Sequence, residues 1–88
     1  MIRVTEFKVT GNVQDVGLRF YISKLAESLD LKGEVWNTSD GSVEGVVVGD
    51  KVRKFLNGLR DGPGRIDAVM YNEVPGKDYD SFEIGRTR

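Results

Sequence analysis

The stretch VTGNVQDVGLRFY, residues 9–21, carries one arginine, Arg19, behind a loop that holds two glycines, Gly11 and Gly17. It reads as the end of a strand, a loop and the first turn of a helix. The first N–H groups of a helix have no partner inside it, and the helix dipole adds positive potential there, so such a loop can wrap an anion. Gly11 and Gly17 admit positive φ and let a ligand approach the backbone. A guanidinium in the first helical turn can fork two N–H donors onto two oxygens of a phosphoryl group. The same stretch also reads as an ordinary glycine-containing turn with Arg19 solvated on a helix face. Asp15, a carboxylate inside the loop, sharpens that choice.

Asn37 closes a β-rich run. A side-chain amide donates and accepts without ever ionising, so at a strand end it can fix the direction of an attacking water. An Asn before "TSDG" equally suits a turn that bonds its own backbone. Trp36 suits either a stacking platform or strand packing. Lys51, Arg53, Lys54 and Arg60 fall on or near the solvent side of a helix and read as a solvated face. The carboxylates match neither a calcium loop nor a helical metal motif, so no metal site is expected.

Composition narrows the chemistry further. The chain has 88 residues, with no cysteine and no histidine. Disulfides, thiolate nucleophiles and iron–sulfur clusters are excluded, and the usual general base is missing. Chemistry must rest on Arg, Lys, carboxylates, amides, hydroxyls and backbone. The 13 basic and 14 acidic residues nearly cancel, which gives no global attraction to nucleic acid or to an anionic membrane. The N-terminal residues lack a signal-like apolar run, and no segment is long enough to cross a bilayer. A cytoplasmic protein forming a single domain over residues 1–88 is the expectation.

These side chains need elements to position them. Phe7 and Val9 alternate with polar neighbours, which predicts a strand over residues 3–10; Ile2 and Val4 fall on the opposite phase, implying a late start or a bulge. Leu18, Ile22, Leu25, Ala26 and Leu29 follow helical spacing, and this helix should end near Leu31 and Gly33. "GEVWNTSDGSVEGVVVG" reads as a hairpin, with Val35 and Asn37 on one face and Glu34 and Trp36 on the other. Asp50 is a candidate N-cap for a second helix carrying Val52, Phe55, Leu56 and Leu59, stopped by "DGPG". Residues 66–71 form a fourth apolar run, "NEVPGKDY" reads as a loop, and residues 81–84 make a short last strand. The order βαββαβ, with an optional extra strand, predicts an α+β, two-layer sandwich of ferredoxin-like type, an antiparallel sheet with two helices on one face. That fold hosts many functions and names none.

Together these residues resemble the acylphosphatase family. Val9, Gly11, Val13, Gln14, Val16 and Arg19 fit the family's first motif, whose usual form is an aliphatic residue, x, G, x, V, Q, G, V, x, aromatic, R. Gly33, Val35, Asn37, Gly41, Val43 and Gly49 fit the second, and "NTSDGSVEG" is close to a common version. The resemblance implies a metal-independent hydrolase of acyl phosphates that uses no cofactor. It implies that Arg19 and the loop of Gly11, Asn12, Val13, Gln14, Asp15 and Val16 bind the phosphate. Asn37 would position the water, and Thr38 would add a hydroxyl donor. Its implied partners are a small acyl phosphate and the product, inorganic phosphate, with no nucleic acid or membrane and a monomeric chain.

Three departures stand out. Asp15 occupies a position where the family has glycine, and at about 5 Å from a phosphoryl charge it would repel by about 3 kcal/mol at an effective dielectric near 20. Alternatively, Asp15 points outward and caps the helix. Leu18 replaces the usual aromatic, and Glu34 and Trp36 replace an aromatic and a commonly basic residue. The alternative function is a catalytically weak acylphosphatase-like module that binds an anion or a protein. An RNA-binding domain of the same element order ranks last, because "SVEGVVVG" lacks the aromatics and cations that stack bases.

Overall fold

In the computed structural model, which describes residues 2–88, the chain runs β1 (Ile2–Asn12), α1 (Leu18–Ser28), β2 (Lys32–Asn37), β3 (Val43–Val48), α2 (Val52–Leu59), β4 (Arg65–Gly76) and β5 (Phe82–Ile84). The strands form one sheet in the order β4-β1-β3-β2-β5. Four of them pair antiparallel, and β5 adds a parallel pair with β2 at the far edge. The two helices cover one face, as the ferredoxin-like reading requires.

Alternation decides which residues face the helices. Phe7 and Val9 of β1, Val35 of β2 and Val43 and Val47 of β3 are buried against Leu18, Ile22 and Ala26 of α1 and Phe55 and Leu59 of α2. Phe55 meets the Phe7 ring edge-on at 5.2 Å between centroids and the Phe82 ring at 6.3 Å, geometry in which ring edge meets ring face favourably. The Tyr21 hydroxyl donates to the Gly58 carbonyl at 2.7 Å and ties α1 to α2. On the opposite face Trp36 is half-buried, with the Arg88 guanidinium 3.7 Å from its ring centroid.

Several boundaries differ from expectation. The first strand neither starts late nor bulges near Val4: it holds register with β4 from Ile2 to Thr10 and shifts only between Thr10 and Gly11. Val4 is buried although it lies on the phase opposite Phe7, so both faces carry apolar contacts at that end. α1 ends at Ser28, three residues short of Leu31, because Asp30 takes left-handed φ 57. The Leu31 N–H then bonds the Ala26 carbonyl at 2.9 Å and the Asp30 N–H the Glu27 carbonyl at 3.1 Å, the Schellman pattern. Asp50 does not cap α2; Lys51 holds that position, without a side-chain cap bond. Residues 72–76, expected as loop, belong to β4. Pro75 is tolerated there because β4 is an edge strand, where a missing N–H breaks no second ladder.

Candidate functional site

β1 delivers the chain to the loop through Gly11. At φ 130 it passes so close to β4 that a side chain there would strike the Arg65 carbonyl oxygen and come within 2.9 Å of the Asp67 nitrogen. Asp15 at φ 60 and Gly17 at φ 84 are left-handed, and left-handed residues in such a loop curl backbone N–H groups toward a common concavity. Gly17 is the N-cap of α1. The first helical bond runs from the Tyr21 N–H to the Gly17 carbonyl at 3.0 Å; among the described residues, no backbone N–H of residues 13–20 has a protein acceptor. A run of unpaired donors therefore meets the positive end of α1.

Two side chains converge beside it. Arg19 is half-buried in the first turn of α1, and its Nη1 donates to the Gly85 carbonyl at 3.4 Å. Among the described residues no carboxylate forms an ion pair with it, Asp15 included. Asn37 ends β2 on the face that the helices cover and is only 6% exposed. Its side-chain amide has no protein partner among the described residues, yet no fully buried side-chain polar atom is left unsatisfied; the amide therefore opens onto a cavity. That cavity, about 170 Å³, is lined by Arg19, Asn37, Val13, Asp15 and Gly17, with Leu18, Phe20 and Ile84 as its apolar part. Among the described residues Arg19 has its long bond to the Gly85 carbonyl and the Asn37 amide has no protein partner, so enclosing them is costly unless a ligand or water completes them.

Gly11, Asn12, Gln14, Val16 and Thr38 lie outside this lining. Gly11 and Asn12, expected in the loop, end β1 in register with Ile66 and Arg65 of β4, and Val16 lies in the loop itself. Gln14 turns away: its Nε2 donates to the carbonyl oxygens of Thr38 at 2.7 Å and Ser42 at 2.9 Å. The Thr38 hydroxyl is engaged with Asp40 and Ser42. Asp15 is exposed at the rim and does not cap α1, which has no side-chain cap bond. Phe20, Ile84 and the Gly85 carbonyl were not foreseen. Phe20 left a trace, an aromatic off the buried stripe of its helix and next to Arg19. Ile84 and Gly85 left none, since they arrive through the parallel pairing of β5 with β2.

The turn that follows Asn37 is held by its own polar network. The Thr38 N–H bonds the Ser42 carbonyl at 2.9 Å. Asp40 accepts from the Ser42 hydroxyl at 2.6 Å, from the Ser42 N–H at 3.0 Å, from the Thr38 hydroxyl and from Lys8 Nζ at 2.9 Å. The Ser42 hydroxyl, followed by that of Thr38 and by Lys8, holds the Asp40 carboxyl well below its ordinary range. Beyond this turn, residues 85–88 continue beside β2, with the Gly85 N–H on the Val35 carbonyl at 2.7 Å and the Arg88 N–H on the Asn37 carbonyl at 2.8 Å. The backbone around Asn37 is thus fixed on both sides.

Comparison with known proteins gives this arrangement its context. The family described as acylphosphatase matches residues 5–84. An acylphosphatase of Archaeoglobus fulgidus is 36% identical over 83 residues, covering 90% of this chain and 93% of that one. One from Aliivibrio fischeri is 39% identical over 82 residues, covering 89% and 91%. The structure of an acylphosphatase from Coxiella burnetii superposes with a TM-score of 0.88 at 31% identity, covering 96% of this chain and 94% of that one. Family and fold support hydrolysis of acyl phosphates as the general class of reaction. With near-complete coverage in both sequence and backbone, the chain belongs to the acylphosphatase family.

Proposed function

We propose that the chain hydrolyses acyl phosphates in the cavity between the loop and Asn37. Arg19 and the unpaired loop N–H groups hold the phosphoryl oxygens, and the Asn37 amide orients the attacking water. The observation that carries this reading is the convergence, among the described residues, of a guanidinium with no carboxylate partner and an unpartnered, buried amide on one cavity beside free backbone donors.

The chemistry suits the residues. Water attacks phosphorus in line; a new P–O bond forms while the bond from phosphorus to the acyl oxygen breaks, and the electron pair leaves with the carboxylate. A carboxylate is a good leaving group, so little general-acid help is needed, and the phosphoryl oxygens accept the water's proton. Catalysis then consists of positioning and charge stabilisation, which one guanidinium, backbone amides and one side-chain amide supply. Neither a metal ion nor an organic cofactor is called for.

Asp15 supports a second reading, a catalytically weak module that binds an anion or a protein. Asp15 lines the cavity and among the described residues no cation is paired to its carboxylate, and such a charge opposes an incoming phosphate. Hydrolysis of benzoyl phosphate by the purified protein in the presence of a metal chelator separates the two. Turnover well above the spontaneous rate fits the hydrolase, whereas saturable phosphate binding without turnover fits the module.

A further inference from the structure

Lys51, Arg53, Lys54 and Arg60 read in the sequence as a solvated face, yet they are also a concentration of uncompensated charge. Residues 51–60 include no carboxylate, and among the described residues none of the four cations forms an ion pair. Arg53, Asn57 and Arg60 recur at i, i+4 and i+7 and so share one face of α2. That face borders a groove of about 570 Å³ between α2 and β4. Leu56 lines it from the helix, and Val69 and Tyr71 line it from the sheet, with Tyr71 65% exposed. Glu73 lines it too, but Arg3 holds that carboxylate at 3.3 Å. The groove therefore offers two guanidiniums without a carboxylate partner and an apolar middle between them.

The sheet ends beside this groove. β4 is an outer strand, so alternate residues turn their N–H and C=O away from β1 toward no other strand. Charges and proline discourage pairing at such an edge, and here they stand toward its ends as Arg65, Asp67, Glu73 and Pro75. The stretch from Ala68 to Asn72 between them carries neither.

We propose that groove and edge together form a docking surface for an extended acidic segment of another protein, which adds to β4 as a further strand and sets one carboxylate against Arg53 and another against Arg60. Main-chain bonds to a free edge give such a segment affinity, and alternate side chains entering a groove give it specificity. Spacing narrows the segment. Arg53 and Arg60 are about 10 Å apart along the helix axis, at roughly 1.5 Å per residue. Carboxylates four residues apart on a strand are about 14 Å apart, and the reach of two arginine side chains closes that difference. The residue midway between the carboxylates faces the same way, toward Leu56, Val69 and Tyr71, so an apolar side chain suits it. Charge selects the partner: a second copy of this chain, pairing β4 with β4 about a two-fold axis, would bring two such basic helices together. The groove and the cavity of Arg19 and Asn37 have no lining residue in common, so the inference does not depend on the hydrolase reading.

The probe is a blocked heptapeptide of threonine with glutamate, leucine and glutamate at its second, fourth and sixth positions, titrated into the isotope-labelled full chain and followed by NMR. Amide signals of residues 68–72 and the side-chain signals of Arg53 and Arg60 should shift together and saturate, while those of residues 13–19 stay in place. Arg53→Gln and Arg60→Gln should each weaken binding severalfold, high salt should weaken it further, and a peptide with lysine for glutamate should not bind. Both substitutions are at exposed positions, and an unchanged Tm checks that the variants remain folded. Methylating alternate backbone nitrogens of the peptide should abolish binding in one phase and spare it in the other, because only one edge of an added strand faces β4. Absence of saturable shifts, shifts confined to residues 13–19, or indifference to the backbone methyl groups overturns the inference. Displacement of the peptide by glutarate or oligouridylate at a comparable concentration overturns it too, since the groove would then take loose anions or nucleic acid. So does self-association of the chain through β4.

Discussion

Gln14 Nε2 donates to the Thr38 carbonyl at 2.7 Å, which ties the cavity loop to the residue that follows Asn37. A second bond from the same nitrogen reaches the Ser42 carbonyl at 2.9 Å, so one side-chain amide spans both ends of the turn. Gln14 therefore sets the distance between the loop donors and the Asn37 amide without lining the cavity. Gln14→Ala should lower stability by about 1–3 kcal/mol, because it removes two hydrogen bonds and leaves the Thr38 carbonyl with the Gly41 N–H and the Ser42 carbonyl with its donors from Thr38. It should also lower kcat/KM for benzoyl phosphate about tenfold through misplacement. Urea unfolding and steady-state kinetics on the same variant check both.

Asp40 makes stability depend on acidity. Its carboxyl is held below the ordinary 3.8 in the folded state, first by the Ser42 hydroxyl and then by Thr38 and Lys8. A depressed folded value means that the stabilisation is full above the unfolded value and is lost as pH falls through the folded one. Tm should therefore fall as the pH drops below about 4, and Asp40→Asn should flatten that part of the Tm profile. At the alkaline end Lys8, raised above 10.5 chiefly by its bond to Asp40, keeps its contribution until the pH passes above that value. Calorimetric Tm against pH for the wild type and Asp40→Asn reads both ends.

Asp15 is exposed and left-handed at φ 60, a conformation that glycine adopts without strain. Solvent screening at the rim reduces its repulsion below the value for a buried pair. Asp15→Gly should thus tighten competitive inhibition by inorganic phosphate about tenfold at low salt, with a smaller gain at high salt, and should raise kcat/KM. Inhibition constants unchanged across salt concentrations would mean that the carboxylate does not feel the bound anion.

Gly11 and Gly17 make a contrasting pair. Both have positive φ, but a side chain at Gly11 would collide with the β4 backbone whereas the space around Gly17 is open. Gly17→Ala should cost about 1–2 kcal/mol of backbone strain. Gly11→Ala should cost more than about 3 kcal/mol, because rigid backbone cannot give way. Denaturant midpoints of the two variants decide it.

What the sequence discloses and what it hides follow from the range of the interactions. The Val35 and Asn37 alternation places Asn37 on the helix-covered face, and the helical spacing from Leu18 places Arg19 in the first turn; both signals are local, and both residues reach the cavity. The Gln14 anchor was hidden, since a loop glutamine reads the same whether it faces a ligand or a hairpin 24 residues away. Ile84 and the Gly85 carbonyl depend on a three-residue strand pairing parallel to β2, a long-range choice with no periodic signature. Asp50 and Asp30 show the limit of local rules. A residue suited to capping stands one place too early, and a left-handed helix stop is made by aspartate where glycine is the usual choice.

The division of labour between Arg19 and Asn37 is the core of the account, and one kinetic comparison tests it. For benzoyl phosphate hydrolysis with inorganic phosphate as inhibitor, Arg19→Ala should weaken phosphate inhibition and lower kcat/KM, each about a hundredfold. Asn37→Ala should keep phosphate inhibition within about threefold of wild type while kcat falls about a hundredfold, as expected for a group that acts on the water and not on the anion. Hydrolysis that survives both substitutions at the wild-type rate would contradict the account.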